Sequence, residues 1–192
     1  MLRIVLGSTL PAAVTADPTL ARVVTQGRGS LAFILGDNAC RQRLLGEGIH
    51  WDRVLLAFDG ERAVGYVAFK CRRRGPFAVR WQPFVREFGW WRGVLHFLAF
   101  CLSELREWRY PFLLYGLRVD KRERGRGVGT ALVRACCSEA LARGFEAVSL
   151  EVPVRNQRAH RLYLRMGFGS RGRRLLPWPP IQRMCRVLEA AS

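Results

Sequence analysis

The stretch FLLYGLRVDKRERGRGVGTALVRACCSEALARGFEAVSLEV, residues 112–152, constrains the fold most. FLLYGLRV reads as a strand, DKRERGRG as a loop, and the residues through about Arg143 as a helix, with Gly144 where a C-terminal cap belongs. FEAVSLEV then alternates, placing Val148, Leu150 and Val152 on one face and Ala147, Ser149 and Glu151 on the other. Next, Asn156 is a good N-cap for a helix QRAHRLYLRM that Gly167 ends. Strand, helix, strand, helix in this order implies a parallel βαβ crossover, right-handed, with ligands expected at the carboxyl ends of the strands.

The upstream half is less sharply marked. LRIVL near the start reads as a strand, and Ala12–Gln26 and Leu31–Leu45 as helices, with Gly27, Gly29, Gly46 and Gly48 as punctuation. DRVLLAFDGERAVGYVAFK gives two apolar runs around Asp59-Gly60, a hairpin, with Gly65 marking a bulge in its second strand. Residues 75–110, bounded by Pro76 and Pro111, hold four of the six tryptophans. Val94, Leu95, Leu98, Cys101, Leu102 and Leu105 form a stripe at helical spacing, with Phe97 and Phe100 on another side. Such a helix is expected to pack over the sheet or against a second subunit. Trp90, Trp91 and the flanking arginines add a membrane-surface alternative. There is no internal repeat and no linker, so residues 1–192 are read as a single domain with an insertion at about 75–110.

Composition bounds the rest. With 49% hydrophobic and 24% charged residues, the chain is globular and not intrinsically disordered. Thirty Arg against two Lys give a net charge of +17, which favours anionic ligands or surfaces without specifying a fold. The six cysteines show no C-x-x-C pair, and with only three histidines no cluster has metal-ligand spacing, so no metal is expected. Neither a signal peptide nor an apolar run approaching the ~18 residues of a membrane span is recognised, so the expected compartment is the cytoplasm.

The loop RERGRGVGTAL, Arg122–Leu132, fails two nucleotide fingerprints. A G-x-G-x-x-G pattern needs glycine where Thr130 or Leu132 stands, and no Gly-Lys-Ser/Thr tripeptide occurs. What remains is R-x-x-G-x-G, from Arg124, Gly127 and Gly129, opening onto the first turn of a helix. Unpaired N–H groups and the positive dipole end lie there, and glycines leave them open to a phosphate. Locally this is an anion cradle, with a plain glycine-rich turn as the alternative.

Leu114–Phe168 resembles the GCN5-related N-acetyltransferase (GNAT) superfamily. The resemblance rests on R-x-x-G-x-G after a strand ending L-x-V-D, then N-x-x-A-x-x-L-Y-x-x-x-G-F from Asn156 to Phe168. It implies an α/β fold with a central mixed, twisted sheet of about six to seven strands flanked by helices. The 75–110 segment, no part of that superfamily's common core, would be a helical insertion between strands 3 and 4. The resemblance further implies an acetyl-CoA-dependent N-acetyltransferase in which an amine attacks the thioester directly. Arg124, Gly125, Arg126, Gly127, Val128, Gly129 and Thr130 would bind the CoA pyrophosphate. Leu117 and Val119 would pair with the pantetheine arm, and Asn156 would contact CoA while capping its helix. Tyr163 matches the family's general acid, and Glu151, in a string resembling the ribosomal-protein N-terminal acetyltransferase branch, is the candidate base. The acceptor is a small-molecule or peptide amine, and the insertion is a candidate homodimer surface. The alternative is a basic binding protein on nucleic acid, the ribosome or a membrane surface, using CoA only structurally or not at all.

Overall fold

The computed structural model describes residues 2–26, 32–78, 80–175 and 180–189. Among the described residues, seven strands form one mixed sheet: β1 (Leu2–Leu6), β2 (Val54–Asp59), β3 (Arg62–Cys71), β4 (Phe112–Val119), β5 (Ala147–Pro153), β6 (Gly169–Arg174) and β7 (Ile181–Val187). Their order is β1-β2-β3-β4-β5-β7-β6, and only the β4–β5 pair is parallel. The crossover between those two strands is α7 (Val128–Ala142), as the sequence requires. The β2–β3 hairpin turns at Gly60, whose φ of 60° lies in the left-handed region open to glycine. A register shift between Ala57 and Phe58 puts a bulge in β3 beside Gly65. A Cβ on Gly65 would stand 2.8 Å from the carbonyl oxygen of Arg118, so glycine there lets β4 approach.

Two cores form, one on each face of the sheet. On the first, Val148, Leu150 and Val152 of β5 meet Leu132, Val133 and Cys136 of α7 and Tyr163, just inside the end of α8 (Gln157–Arg165). On the second, Leu56, Tyr66 and Ala68 meet α2 (Pro18–Thr25), α4 (Asn38–Leu45), α5 (Gln82–Phe88) and α6 (Trp90–Leu105). The two long early helices expected from the sequence are each broken. Ala12–Gln26 becomes α1 (Ala12–Thr15) and α2, because Pro18 occupies the first turn of α2 and Asp17 accepts a hydrogen bond from the Thr19 N–H at 2.7 Å. Leu31–Leu45 becomes α3 (Ala32–Leu35) and α4, because Gly36 adopts a φ of 69° and Asp37 caps α4 through the Cys40 N–H. Gly27, Gly29 and Leu31 lie outside the described residues.

The insertion between β3 and β4 is helical, and of the expected placements for its leucine stripe, packing over the sheet is not the one adopted. Leu95, Leu98, Leu102 and Leu105 point outward, while Gly93 and Phe100 are buried. Gly93 fixes this orientation: a Cβ there would lie 2.6 Å from the Phe84 carbonyl oxygen and the Val85 Cα. Close approach of α5 and α6 packs Phe84 edge-on against Phe97 and tilted against Phe100, with ring centroids 5.7 and 5.9 Å apart. Below them, the buried Lys70 of β3 donates to the Glu104 backbone carbonyl at 2.8 Å and to its carboxylate at 3.0 Å, with Glu107 at 3.6 Å. The insertion is therefore bolted to the sheet by an apolar cluster and a buried ion pair.

Candidate active site at the fork of strands 4 and 5

β4 and β5 pair only at Leu113↔Ser149 and Leu114↔Leu150. The next residue of β4, Tyr115, is skipped in the pairing with β3, where the register steps from Phe69↔Leu114 to Ala68↔Gly116. A bulge bends and twists the strand that carries it. Beyond it the arm Tyr115–Val119 keeps β3 as its partner but not β5. The two parallel strands thus form a fork, with Tyr115 and Glu151 the first residues past its apex.

A groove of about 430 Å³ opens beside the β4 arm, walled by the glycine loop, the start of α7 and the helix that begins after Asn156. Leu117, Val119, Arg124, Gly125, Gly127, Gly129, Thr130 and Asn156 all line it. Gly125 and Gly127 take φ values of 90° and 83°, and a Cβ on either would meet nothing within 4 Å. Their value is conformational: they turn the chain so that α7 begins at the groove. Gly127 is the N-cap, and the first bond of the helix ladder runs from the Ala131 N–H to the Gly127 carbonyl at 3.0 Å. The N–H groups of Val128, Gly129 and Thr130 precede that bond, at the positive end of a 15-residue helix. At Gly129 a Cβ would make ordinary contact with Leu162 at 3.4 Å and Val119 at 3.7 Å.

Two of the expected loop side chains turn elsewhere. Val128 is buried in the core, leaving its N–H as its means of contact. Arg126 pairs with Glu123 at 2.5 Å, and Arg62 holds the other oxygen of the same carboxylate at 2.5 Å. Arg124 instead donates from Nε to the Val119 carbonyl at 3.2 Å. Arg118, Arg158 and Arg165 also line the groove, although no motif in the sequence marks them. Arg158, Leu162 and Arg165 share one face of α8 at steps of four and three, a signal that reading the apolar residues alone passes over. Glu123 is the one acid among the described lining residues, and it is already matched by two arginines.

Glu151 stands on the opposite face of β5 from Val148, Leu150 and Val152, partly buried. Its Oε1 accepts a hydrogen bond from the Tyr110 hydroxyl at 2.9 Å, and its Oε2 meets Arg174 Nη2 at 3.3 Å. Burial raises the Tyr110 phenol to about 12, assisted by the neighbouring Glu151 charge and its hydrogen bond. Neither Tyr110 nor Arg174 is marked by a motif, since only the fold brings them to β5. Beside Glu151 at the apex, Tyr115 donates to Glu104 Oε1 at 2.6 Å, which links the inner face of α6 to the fork.

Tyr163 lies on the other side of the sheet. It is buried and packs edge-on against Phe168 at 5.7 Å, and burial pushes its phenol well above the usual tyrosine range. The expected apolar face of α8 splits there: Tyr163 and Met166 enter the core, while Ala159 and Leu162 line the groove. Asn156 caps the helix by accepting from the Ala159 N–H at 3.2 Å and borders the groove as well. The structure therefore gathers the loop, Leu117, Val119 and Asn156 around one groove, and it puts Glu151 and Tyr163 on opposite faces of β5.

The chain belongs to the acetyltransferase (GNAT) family, whose pattern matches residues 36–168. N-acetyltransferase 8F1 of Rattus norvegicus is 41% identical over 68 residues, which are 35% of this chain and about a third (31%) of that protein's length. The fold is that of solved acetyltransferases. The crystal structure of SsHAT superposes with a TM-score of 0.64 at 18% identity, covering 97% of this chain and 98% of the other. A chain of the NatC complex bound to Gag peptide and CoA gives 0.58 at 14% identity, with 98% and 99% covered.

Proposed function

We propose that this protein is an N-acetyltransferase that moves the acetyl group of acetyl-CoA onto an amine, acting as a single domain in the cytoplasm. The observation that carries the reading is the fork, with a glycine-turned helix N-terminus and Arg118, Arg124, Arg158 and Arg165 on the groove leading to it. A diphosphate suits the N–H groups of the loop, and an extended amide-bearing arm suits the unpaired edge of Leu117–Val119. A neighbour of the same fold is bound to CoA, which fits the assignment. Six cysteines, all free thiols, fit a reducing compartment.

The chemistry follows from the two faces of β5. An amine entering on the Glu151 side must be neutral to attack the thioester carbonyl, and the Glu151 carboxylate takes its proton, directly or through water. Arg174 and Tyr110 hold that carboxylate at the apex. Main-chain N–H groups near Leu117 steady the developing oxyanion. The bond to sulfur then breaks on the Tyr163 side, where the phenol supplies a proton to the departing thiolate. Base and acid on opposite faces match a reaction that passes through the gap between the strands.

An acceptor screen over small polyamines, aminoglycosides and peptide N-termini, read as free CoA released, tests the proposal. Saturable release with one amine class is expected. Acetyl-CoA binding with no release for any class would reduce the protein to a CoA-binding module and contradict the assigned reaction.

A further inference from the structure

The face of α6 turned away from the sheet is apolar along its whole length. Trp91, Leu95, Leu98, Leu102 and Leu105 recur at steps of four and three, and their exposure runs from 44% at Leu105 to 83% at Trp91. At the same end the exposed Trp90 stands edge-on to Trp81, 5.9 Å away. None of this stripe can turn inward, because Gly93, Phe100 and Glu104 already fill the opposite side of the helix. A continuous exposed patch of this kind marks an interaction surface.

The charge around the stripe selects its occupant. Each exposed charged residue described between Arg80 and Arg109 is an arginine: Arg80, Arg86, Arg92 and Arg109. The acids of the segment are engaged elsewhere, Glu104 and Glu107 on Lys70 and Glu87 on Arg43. A second copy would bring the same arginines and a further +17 against the first, and like charges repel. A bilayer rich in anionic headgroups offers the opposite charge, an apolar boundary for the leucines and the interfacial zone that tryptophan prefers. The helix has 16 residues, about 24 Å at 1.5 Å per residue, which suits lying in the surface. No described helix is long and apolar enough to cross a membrane.

We propose that α6 docks flat on an anionic bilayer, with the Trp91–Leu105 stripe at the acyl boundary and the surrounding arginines on the phosphate-bearing headgroups. The inner face of the same helix contacts the fork through Glu104 and Tyr115, and no residue of the stripe lines the acetyl-CoA groove.

Sedimentation of the whole chain with vesicles tests this. One set is phosphatidylcholine alone and the other holds roughly a third phosphatidylglycerol, the anionic fraction supplying the attraction. The wild type pellets with the anionic vesicles about tenfold more than with the neutral ones. Leu98→Glu/Leu102→Glu, both at exposed positions, loses about tenfold of that binding while keeping its melting temperature and acetyl-CoA affinity. A wild type that stays in the supernatant, or a double variant that pellets as well as wild type, overturns the proposal. So does a dimer in sedimentation velocity that the double substitution dissolves, if neither protein binds vesicles, because the stripe then belongs to a second copy. Vesicle binding needs no acceptor amine, so its failure leaves the catalytic reading standing.

Discussion

Glu151 shows how much of a residue's chemistry is decided by its neighbours. Two atoms of its carboxylate are held by a phenol and a guanidinium, and its backbone lies one position past the last β4 pairing. Glu151→Gln should lower kcat by about 10²–10⁴-fold, the usual worth of a general base, and leave the acetyl-CoA Kd unchanged. Equal losses in both would make Glu151 a binding residue instead. Its partner Tyr110 gives an independent readout. The phenol ionises near pH 12 in the folded chain, against 10 for an ordinary tyrosine. Because the folded value is the higher one, the stability it contributes is full below about pH 10 and is lost as pH rises toward 12. In Glu151→Gln, ultraviolet titration should find the Tyr110 transition lower, but still above its ordinary value, since burial remains the largest cause. Tyr163→Phe should lower kcat by about a hundredfold, with acetyl-CoA affinity intact. Unchanged turnover in that variant would return Tyr163 to the core as packing alone.

At the scale of elements, α6 joins a rigid inner face to an exposed outer one. Glycine to alanine in an open helix ordinarily stabilises by up to about 1 kcal/mol. At Gly93 the sign reverses, because the added carbon meets the backbone of α5 at 2.6 Å. Gly93→Ala should cost about 1–3 kcal/mol, read as a lower urea midpoint. Lys70→Met should cost about 3 kcal/mol by removing a cation from the partly buried Glu104 and the buried Glu107. Much of this architecture was legible beforehand. The βαβ unit, the β2–β3 hairpin, the cap at Asn156 and the glycine loop each rest on local pattern, and local pattern survives folding. The orientation of α6 was not legible, because leucines and phenylalanines lie on both of its sides and only contact with α5 decides which face is core. β6 was missed for a related reason: GSRGRR has no apolar alternation and is largely exposed, and it is a strand only because β7 pairs with it. In the site, the loop residues were readable from spacing, whereas Tyr110, Arg174 and Arg118 reach it through tertiary contacts that spacing does not encode.

Across the whole molecule, the surplus of arginine divides into roles. Some are matched internally, as Arg62 and Arg126 are by Glu123. Others line the groove, and others surround the exposed stripe of α6. A positive groove implies that acetyl-CoA affinity falls with added salt, since screening weakens exposed charge pairs over about 10 Å at 0.1 M. The backbone contribution of the loop should persist through that change. In the proposed site, the glycine-turned start of α7 would bind acetyl-CoA through main-chain N–H groups more than through arginine side chains. Calorimetry of acetyl-CoA binding to the wild type, Gly127→Ala and Arg126→Ala separates the two contributions. Wild type should bind well below millimolar concentration. Gly127→Ala, forced against a φ of 83°, should weaken binding about tenfold, the effect of 1–2 kcal/mol of backbone strain. Arg126→Ala, whose side chain is turned to Glu123, should bind as wild type does. No binding by the wild type near millimolar ligand, or a loss in Arg126→Ala as large as in Gly127→Ala, would rule out main-chain binding at this helix start.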